Sequence, residues 1–360
     1  MSYTIPIGPY HPALEEPVHA KLIVEGERIK DAEVFIGYNH RGIEKLAQER
    51  NFIQTITLVE RVCGICSHSH AWTYCRCIET IAGMQVPKRA EYIRDVIEEL
   101  ERIHSHLLWL GVACHIVGHD SMFMQLWDDR EETMDVLENL TGNRVNYAMN
   151  IIGGVRRDFS PEQIEMTLKA MDNLEAKMKK IAVFLTTDKT IAMRTKGVGV
   201  LTKEDAIRIG AEGPHARASG VPMDVRKDAP YSSYEDFDFK VCTCDSGDVY
   251  ARVVVRVEEI FESISIIRQA LSKLPEGPIN LGNKIPKVPA GEIVLRHEAP
   301  RGHLVYKVVT DGSQFNKRIS IHVPTFRNAP TIPTMLKGNT VADAGLIVAS
   351  IDPCFSCMDC

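Results

Sequence analysis

Two pairs of cysteines stand close to opposite ends of this chain. The first lies in Arg61-Val62-Cys63-Gly64-Ile65-Cys66-Ser67-His68-Ser69-His70, the second in Asp352-Pro353-Cys354-Phe355-Ser356-Cys357-Met358-Asp359-Cys360. A C-x-x-C spacing lets two sulfurs face one metal from a single turn. Two such pairs make a four-sulfur site, a soft donor set suited to zinc, an iron–sulfur cluster or nickel. If both pairs serve one site, the fold must close its beginning onto its end. Zinc modules usually keep their pairs within ~15–20 residues of each other, so this wide separation argues against structural zinc.

The chain has ten cysteines in 360 residues. Met1 to Tyr10 shows no basic segment leading into an apolar one, so a signal peptide is not expected and the thiols read as ligands or free thiols, not disulfides. Cys75/Cys77 and Cys242/Cys244 read as ordinary buried pairs. His104, His106, His115 and His119 fall in a helical region and read as hydrogen-bonded structural histidines. A net charge of -6 disfavours nucleic acid as a partner. No apolar run reaches the ~20 residues of a membrane span. A reducing, cytoplasmic setting is expected.

The patterning predicts an α+β fold: a mainly helical core over about 40–275 and a small β portion built from the N-terminal and C-terminal segments, about 1–36 and 291–323, in a single domain. Apolar runs on either side of Glu25-Gly26-Glu27 predict a hairpin. Helices are predicted over 41–59, 88–117, 128–150 and 249–271. Another is predicted from 160 to about 186, where Ser160-Pro161-Glu162-Gln163 has the form of a capping box. Residues 210–245 read as irregular. Strands are expected at Ile293–Arg296, His303–Thr310 and Ile319–Val323, then a short helix near Pro330–Lys337.

Taken together the cysteine motifs resemble the large subunit of nickel–iron hydrogenases. Arg61, Cys63, Gly64, Cys66 and His70 meet every fixed position of that family's R-x-C-G-x-C-x-x-x-H signature, and Asp352, Pro353, Cys354 and Cys357 meet D-P-C-x-x-C. His297-Glu298-Ala299-Pro300-Arg301-Gly302 resembles the segment that carries an arginine above the metals. Val323-Pro324-Thr325 resembles the one that holds a cyanide. Asn39-His40-Arg41-Gly42-Ile43-Glu44 resembles a segment whose glutamate binds a second metal. The Gly8-Pro9-x-His11-Pro12 opening, Ser105-His106-Leu107-Leu108-Trp109 and Gly247-Asp248-Val249-Tyr250-Ala251-Arg252 point to the membrane-bound, energy-converting branch. The same stretches resemble the quinone-site subunit of respiratory complex I, which lacks the four cysteines.

The resemblance implies a nickel held by Cys63, Cys66, Cys354 and Cys357, with Cys66 and Cys357 shared with an iron that carries carbon monoxide and cyanide. It implies heterolytic, reversible cleavage and formation of hydrogen. Cys354 or Arg301 would receive the proton and Glu16, whose neighbour Glu15 is the rival, would relay it. Arg301 has at least an electrostatic role. Pro324 and Thr325 would face the cyanide, His70 would support a sulfur shared with iron, and Asp352 would orient Arg301 or cap the turn. Glu44 is a candidate ligand of a second, structural magnesium or iron, without its usual partner, since Cys360 stands where many members carry histidine or arginine. The implied partners are a small iron–sulfur subunit, further iron–sulfur and membrane ion-translocating subunits and, through them, ferredoxin, with the chain peripheral on the inner face of the cell membrane. The alternatives are a complex I-like quinone-oxidoreductase subunit and a zinc-tied scaffold without enzymatic activity.

Overall fold

The computed structural model describes residues 2–10, 16–282 and 287–360. His11 and Pro12 of the opening segment, and Glu15, lie outside the described residues.

The chain opens with β1 (Ser2–Ile7), β2 (His19–Glu25) and β3 (Arg28–Phe35), an antiparallel sheet in the order β1-β2-β3. Its second hairpin turns at Gly26, which adopts φ +62, a left-handed conformation that glycine takes without penalty. The alternation of β2 buries Ala20, Leu22 and Val24 and leaves Lys21 and Ile23 less covered. The predicted helix over 41–59 is two helices, α1 (Ile43–Gln48) and α2 (Phe52–Glu60). Asn51 breaks it, because Asn51 and Gln54 form a reciprocal capping box that starts α2 afresh.

Next come α3 (Ser67–Ile81) and α4 (Lys88–Val117), the central element of the core. Ile93, Val96, Ile97, Leu100, Ile103 and Leu107 of α4 are fully buried, as their helical spacing predicts. So are Arg94, Asp95, Glu98, Glu99, Glu101 and Arg102, which look like a solvated face in the sequence. Helix α5 (Asp120–Thr141) begins earlier than predicted, at an N-cap formed by His119, and ends at Gly142 in the left-handed region. A minimal pair, β4 (Asn150–Ile151) and β5 (Gly154–Val155), precedes α6 (Pro161–Thr187), whose Ser160–Gln163 capping box forms as predicted.

Four short helices, α7 (Lys189–Thr195), α8 (Lys203–Ile209), α9 (Gly213–Arg217) and α10 (Val225–Asp228), lead to α11 (Val249–Ser272), which packs along α4 and α6. Strands β6 (Ala290–Ala299), β7 (Gly302–Asp311) and β8 (Asn316–His322) make a second antiparallel sheet that packs on α3. The chain closes with α12 (Pro324–Asn328), α13 (Ile332–Leu336), α14 (Ala344–Ser350) and α15 (Phe355–Met358). The fold is α+β, and apart from the short β4–β5 pair its β portion comes from the two chain ends as two separate sheets.

Buried charges need partners, and two buried arginines find theirs, although both Asp95 carboxylate oxygens lack a hydrogen-bond partner among the described residues. Arg217 pairs with Glu259 at 2.7 Å and Glu298 at 2.8 Å, and Arg226 pairs with Glu99 at 3.0 Å and Asp224 at 2.6 Å. These pairs converge on the end of β6. Arg102 donates to the carbonyls of Glu298 (2.7 Å) and Ala299 (3.2 Å), and the Glu298 amide donates to Tyr231 Oη at 3.1 Å. On the other side Gly213 lies so close that a Cβ there would sit 2.4 Å from the Arg301 carbonyl oxygen. The helical core therefore fixes the segment that delivers Arg301.

Candidate metal centre

Each cysteine pair occupies a turn that leads into a helix. Cys66 is the N-cap of α3 and Cys354 the N-cap of α15. Within each turn the backbone N–H groups point back at the first sulfur. Ile65 N and Cys66 N donate to Cys63 Sγ at 3.2 and 3.3 Å, and Cys357 N donates to Cys354 Sγ at 3.4 Å. Such donors favour sulfur in its anionic form.

The two turns meet. Cys63 Sγ lies 3.5 Å from Cys354 Sγ, Cys66 Sγ 3.4 Å from Cys357 Sγ, and Cys354 and Cys357 are 3.0 Å apart. All four residues are buried. The sulfurs of Cys63, Cys66 and Cys357 lie within 4.8 Å of one another, the spacing of ligands to one ion. Hydrogen bonds from the thiols of Cys354, Cys357 and Cys66 pull Cys63 well below the usual thiol range, while burial pushes Cys357 well above it. Four protonated thiols packed this closely satisfy one another poorly, whereas four thiolates around a soft cation neutralise its charge. The donor set fits nickel, iron or zinc and does not fit the hard, oxygen-seeking magnesium or calcium.

Three side chains hold the turns in place, and one of them, Arg41, joins the two. Arg41 donates to the carbonyls of Arg61 (3.1 Å), Val62 (2.8 Å) and Ser356 (2.7 Å), tying one cysteine turn to the other. The Glu16 carboxylate accepts from the amides of Phe355 and Ser356 and from the Ser356 hydroxyl (2.6 Å), so it caps α15 beside Cys354. His104 Nε2 lies 3.2 Å from the Ile65 carbonyl, and Arg130 lies 3.3 Å from its other ring nitrogen.

Arg301 sits at the edge of the sulfur cluster with Leu304, Val323, Pro324 and Thr325, lining a small apolar cavity. Its Nε and Nη2 donate to Asp352 Oδ1 at 2.9 and 2.8 Å, and Nε also to the Asp352 carbonyl at 2.9 Å. Asp352 adopts φ 57, an uncommon conformation for a residue other than glycine, which directs both oxygens at the guanidinium. Burial opposes the Arg301 cation, but Asp352 and then the sulfurs of Cys354, Cys63 and Cys66 outweigh it and hold the proton more tightly than usual. The Thr325 hydroxyl accepts from Cys354 N at 3.0 Å, leaving its own proton free to donate. His70 bonds Tyr306 Oη through Nδ1 at 2.7 Å and reaches Cys357 Sγ through Nε2 at 3.6 Å. Burial holds it neutral, down at about 4.

Glu44 stands apart from the sulfurs: its carboxylate accepts from Ile321 N at 2.8 Å and Arg318 Nη2 at 3.1 Å. It does face Cys360, whose thiol burial and then the Glu44 charge push up to about 11. Of the two pairs read as ordinary buried cysteines, Cys75, Cys77 and Cys242 are buried, whereas Cys244 is only half-buried. Arg41 and His104 are the residues missed as clamps. The one available sign was that Arg41 sits inside a recognised stretch.

Near the Arg301 segment one acid has a proton affinity that matters to stability. Burial lifts Glu212 to about 7, His303 opposing and Glu298 adding to the effect. A raised folded-state value means stability present at low pH and lost as pH climbs. The contribution of Glu212 to the stability of the chain should therefore decline between about pH 4.5 and about pH 7. Glu212→Gln should flatten that decline, as urea titrations at each pH would report.

Comparison with known families matches residues 117–286 and 280–360 to "Respiratory-chain NADH dehydrogenase, 49 Kd subunit" and residues 41–141 to "Nickel-dependent hydrogenase". The chain is 43% identical over 359 residues to the carbon monoxide-induced hydrogenase of Rhodospirillum rubrum, covering 99% of each protein. It is 44% identical to the membrane-bound hydrogenase subunit alpha of Pyrococcus furiosus, across 99% of this chain and 87% of that one. Among solved structures it is similar to a chain of the membrane-bound sulfane sulfur reductase, an archaeal respiratory membrane complex. That match has a TM-score of 0.95 and 32% identity, over 100% of this chain and 98% of the other.

Proposed function

The chain belongs to the family that unites nickel-dependent hydrogenase large subunits with the 49-kDa subunit of respiratory-chain NADH dehydrogenase, and from that premise we propose that it is the catalytic subunit of an energy-converting hydrogenase. The observation that carries this reading is the meeting of four buried sulfurs from the two chain ends. By the resemblance drawn from the sequence, the quinone-site subunit of complex I lacks these four cysteines.

Cys63, Cys66, Cys354 and Cys357 would hold nickel, with Cys66 and Cys357 shared with an iron that carries carbon monoxide and cyanide. When bound, that pair of metals supplies the Lewis-acidic, redox-active site at which hydrogen is split or formed. The protein supplies position, charge and a proton path. Cys354 Sγ is the proton acceptor, and Glu16 lies beside it as the next station outward. Arg301, fixed by Asp352, stays a cation and steadies negative charge in the small apolar cavity. Pro324 and Thr325 line the cavity beside the sulfurs and would hold the cyanide there, the Thr325 hydroxyl as donor. His70 orients Cys357 from behind. Glu44, with Cys360 nearby, remains the candidate ligand for a second metal.

No helix among the described residues is long and apolar enough to cross a membrane. Relatives of this chain are subunits of membrane-bound complexes. Electrons would pass to a small iron–sulfur subunit and on to ferredoxin, with ion translocation carried out by membrane subunits and this chain peripheral on the inner face of the membrane.

Metal analysis and infrared spectroscopy of the purified complex test the proposal. About one nickel per chain, with stretching bands of metal-bound carbon monoxide and cyanide, is the expected result. The family match to the respiratory 49-kDa subunit over the C-terminal part gives the second reading, a quinone-oxidoreductase subunit. A complex with neither nickel nor those bands that reduces a quinone would favour it. Stoichiometric zinc without turnover would mean a scaffold.

A further inference from the structure

The first turn of α3 presents a problem of hydrogen bonding that its own sequence does not solve. A helix N-terminus leaves its leading N–H groups without partners, and the residue at the N-cap normally supplies one. Here that residue is Cys66, which makes no capping bond because its sulfur is committed to Cys357. The cap comes instead from α4. Glu101 Oε2 accepts from His68 N at 2.7 Å, and its Oε1 accepts from Ser69 N at 3.0 Å. Glu101 is fully buried.

A second acid joins it. Ser69 Oγ lies 2.7 Å from Glu101 Oε1 and 2.9 and 3.2 Å from the two oxygens of Glu98, itself fully buried. One hydroxyl has one proton and cannot donate to two carboxylates. The close Glu101–Ser69 contact is satisfied when Glu101 is the carboxylic acid and donates to Ser69 Oγ, which in turn donates to Glu98. Glu98 keeps its charge because His297 Nε2 is 3.1 Å away and Arg102 3.8 Å away. Burial and then like-charge repulsion from Glu98 work in the same direction, raising Glu101.

We propose that Glu101, through Ser69 and Glu98, is a remote cap of the helix that begins at Cys66, a buried acid pair holding one proton that fixes the position of Cys66 and His70. Glu101 is a positioning residue, and nothing in the sequence around it marks it as such. The inference rests on the metal-centre reading only where nickel is the readout.

The test uses the full chain in its complex and, separately, the same chain stripped of metal. The wild-type chain should show an infrared carbonyl band of a protonated carboxyl group, shifted in heavy water and missing in Glu101→Gln, with or without metal. A glutamine can still accept from His68 N through its carbonyl and donate to Ser69 Oγ through its NH2, giving up only the Ser69 N bond, so Glu101→Gln should keep its nickel. Glu101→Ala strands buried N–H groups and should lower nickel content about tenfold. It should also speed alkylation of Cys66 in the metal-free chain by about tenfold. If Glu101→Ala does not fold, Ser69→Ala takes its place, with the band displaced and Cys66 alkylated faster. A spectrum unchanged by Glu101→Gln, or a Cys66 equally protected in the alanine variants, overturns the proposal. A wild-type complex without nickel that still shows the band and the protected thiol would sink the hydrogenase reading and leave the cap standing.

Discussion

Replacing Cys354 by serine is expected to leave the complex assembled but without nickel, and hydrogen evolution below detection. The loss should be chemical, not architectural. The Cys354 backbone amide is held by Thr325 and the turn is capped by Glu16, and neither bond uses the sulfur. The serine hydroxyl fits the space, yet it stays protonated near neutral pH and is a poor, hard donor for a soft metal. A site of three sulfurs and one alcohol holds a late transition metal far more weakly. Cys75→Ser makes the matched control. Cys75 is another buried thiol, about two and a half turns beyond Cys66 in α3, and it has no sulfur neighbour in the cluster. Its replacement should cost about 1–2 kcal/mol of stability through an unsatisfied buried hydroxyl and leave nickel in place. Metal content by mass spectrometry, normalised to the co-purified partner subunits, reads both. A Cys354→Ser complex that retains nickel and turnover would defeat the assignment of the sulfurs.

The parts of this site that chemistry announces were legible in the sequence, and the parts that packing decides were not. Cysteine spacing names a soft-metal site whatever lies between the pairs, so the meeting of Cys63 and Cys66 with Cys354 and Cys357 follows from the two motifs. Helix α3 carries no comparable signal. Its start, Ser67-His68-Ser69-His70, is polar, and the helix is buried on most sides between the β6–β7 sheet and α4, so no 3.6-residue stripe separates an inner from an outer face. Helix α4 misleads in the opposite sense. Its apolar stripe is real, but Glu98, Glu99, Glu101 and Arg102 on the other face are buried too, because Arg226 arrives from α10 to meet Glu99, His297 of β6 lies beside Glu98, and the first turn of α3 meets Glu101. Local pattern cannot report a partner more than 100 positions away. The break between α1 and α2 was visible, since Asn51-Phe52-Ile53-Gln54 is a capping box inside an apolar run, and periodicity alone passes over it.

Glu16→Gln is expected to lower hydrogen evolution by about 100-fold or more while nickel, carbon monoxide and cyanide stay bound. The geometry makes glutamine an unusually clean replacement. One carboxylate oxygen of Glu16 accepts from two backbone amides, a task the glutamine carbonyl can take over. The other accepts from the Ser356 hydroxyl, which can rotate to accept from the new amide N–H instead. The cap on α15 therefore survives, and what disappears is a group able to take up and release a proton next to Cys354. The proximity is electrostatically real: after the other cysteine sulfurs and burial, Glu16 is among the charges that raise the proton affinity of Cys354. Two measurements separate relay from clamp. Exchange between deuterium gas and water requires protons to leave the site, so it should fall together with evolution, whereas the conversion of para- to ortho-hydrogen at the metals should persist. If both fall and nickel is lost, Glu16 acts only by holding the C-terminal turn. If evolution and exchange both stay at the wild-type rate, protons leave by another route and the relay assignment is wrong.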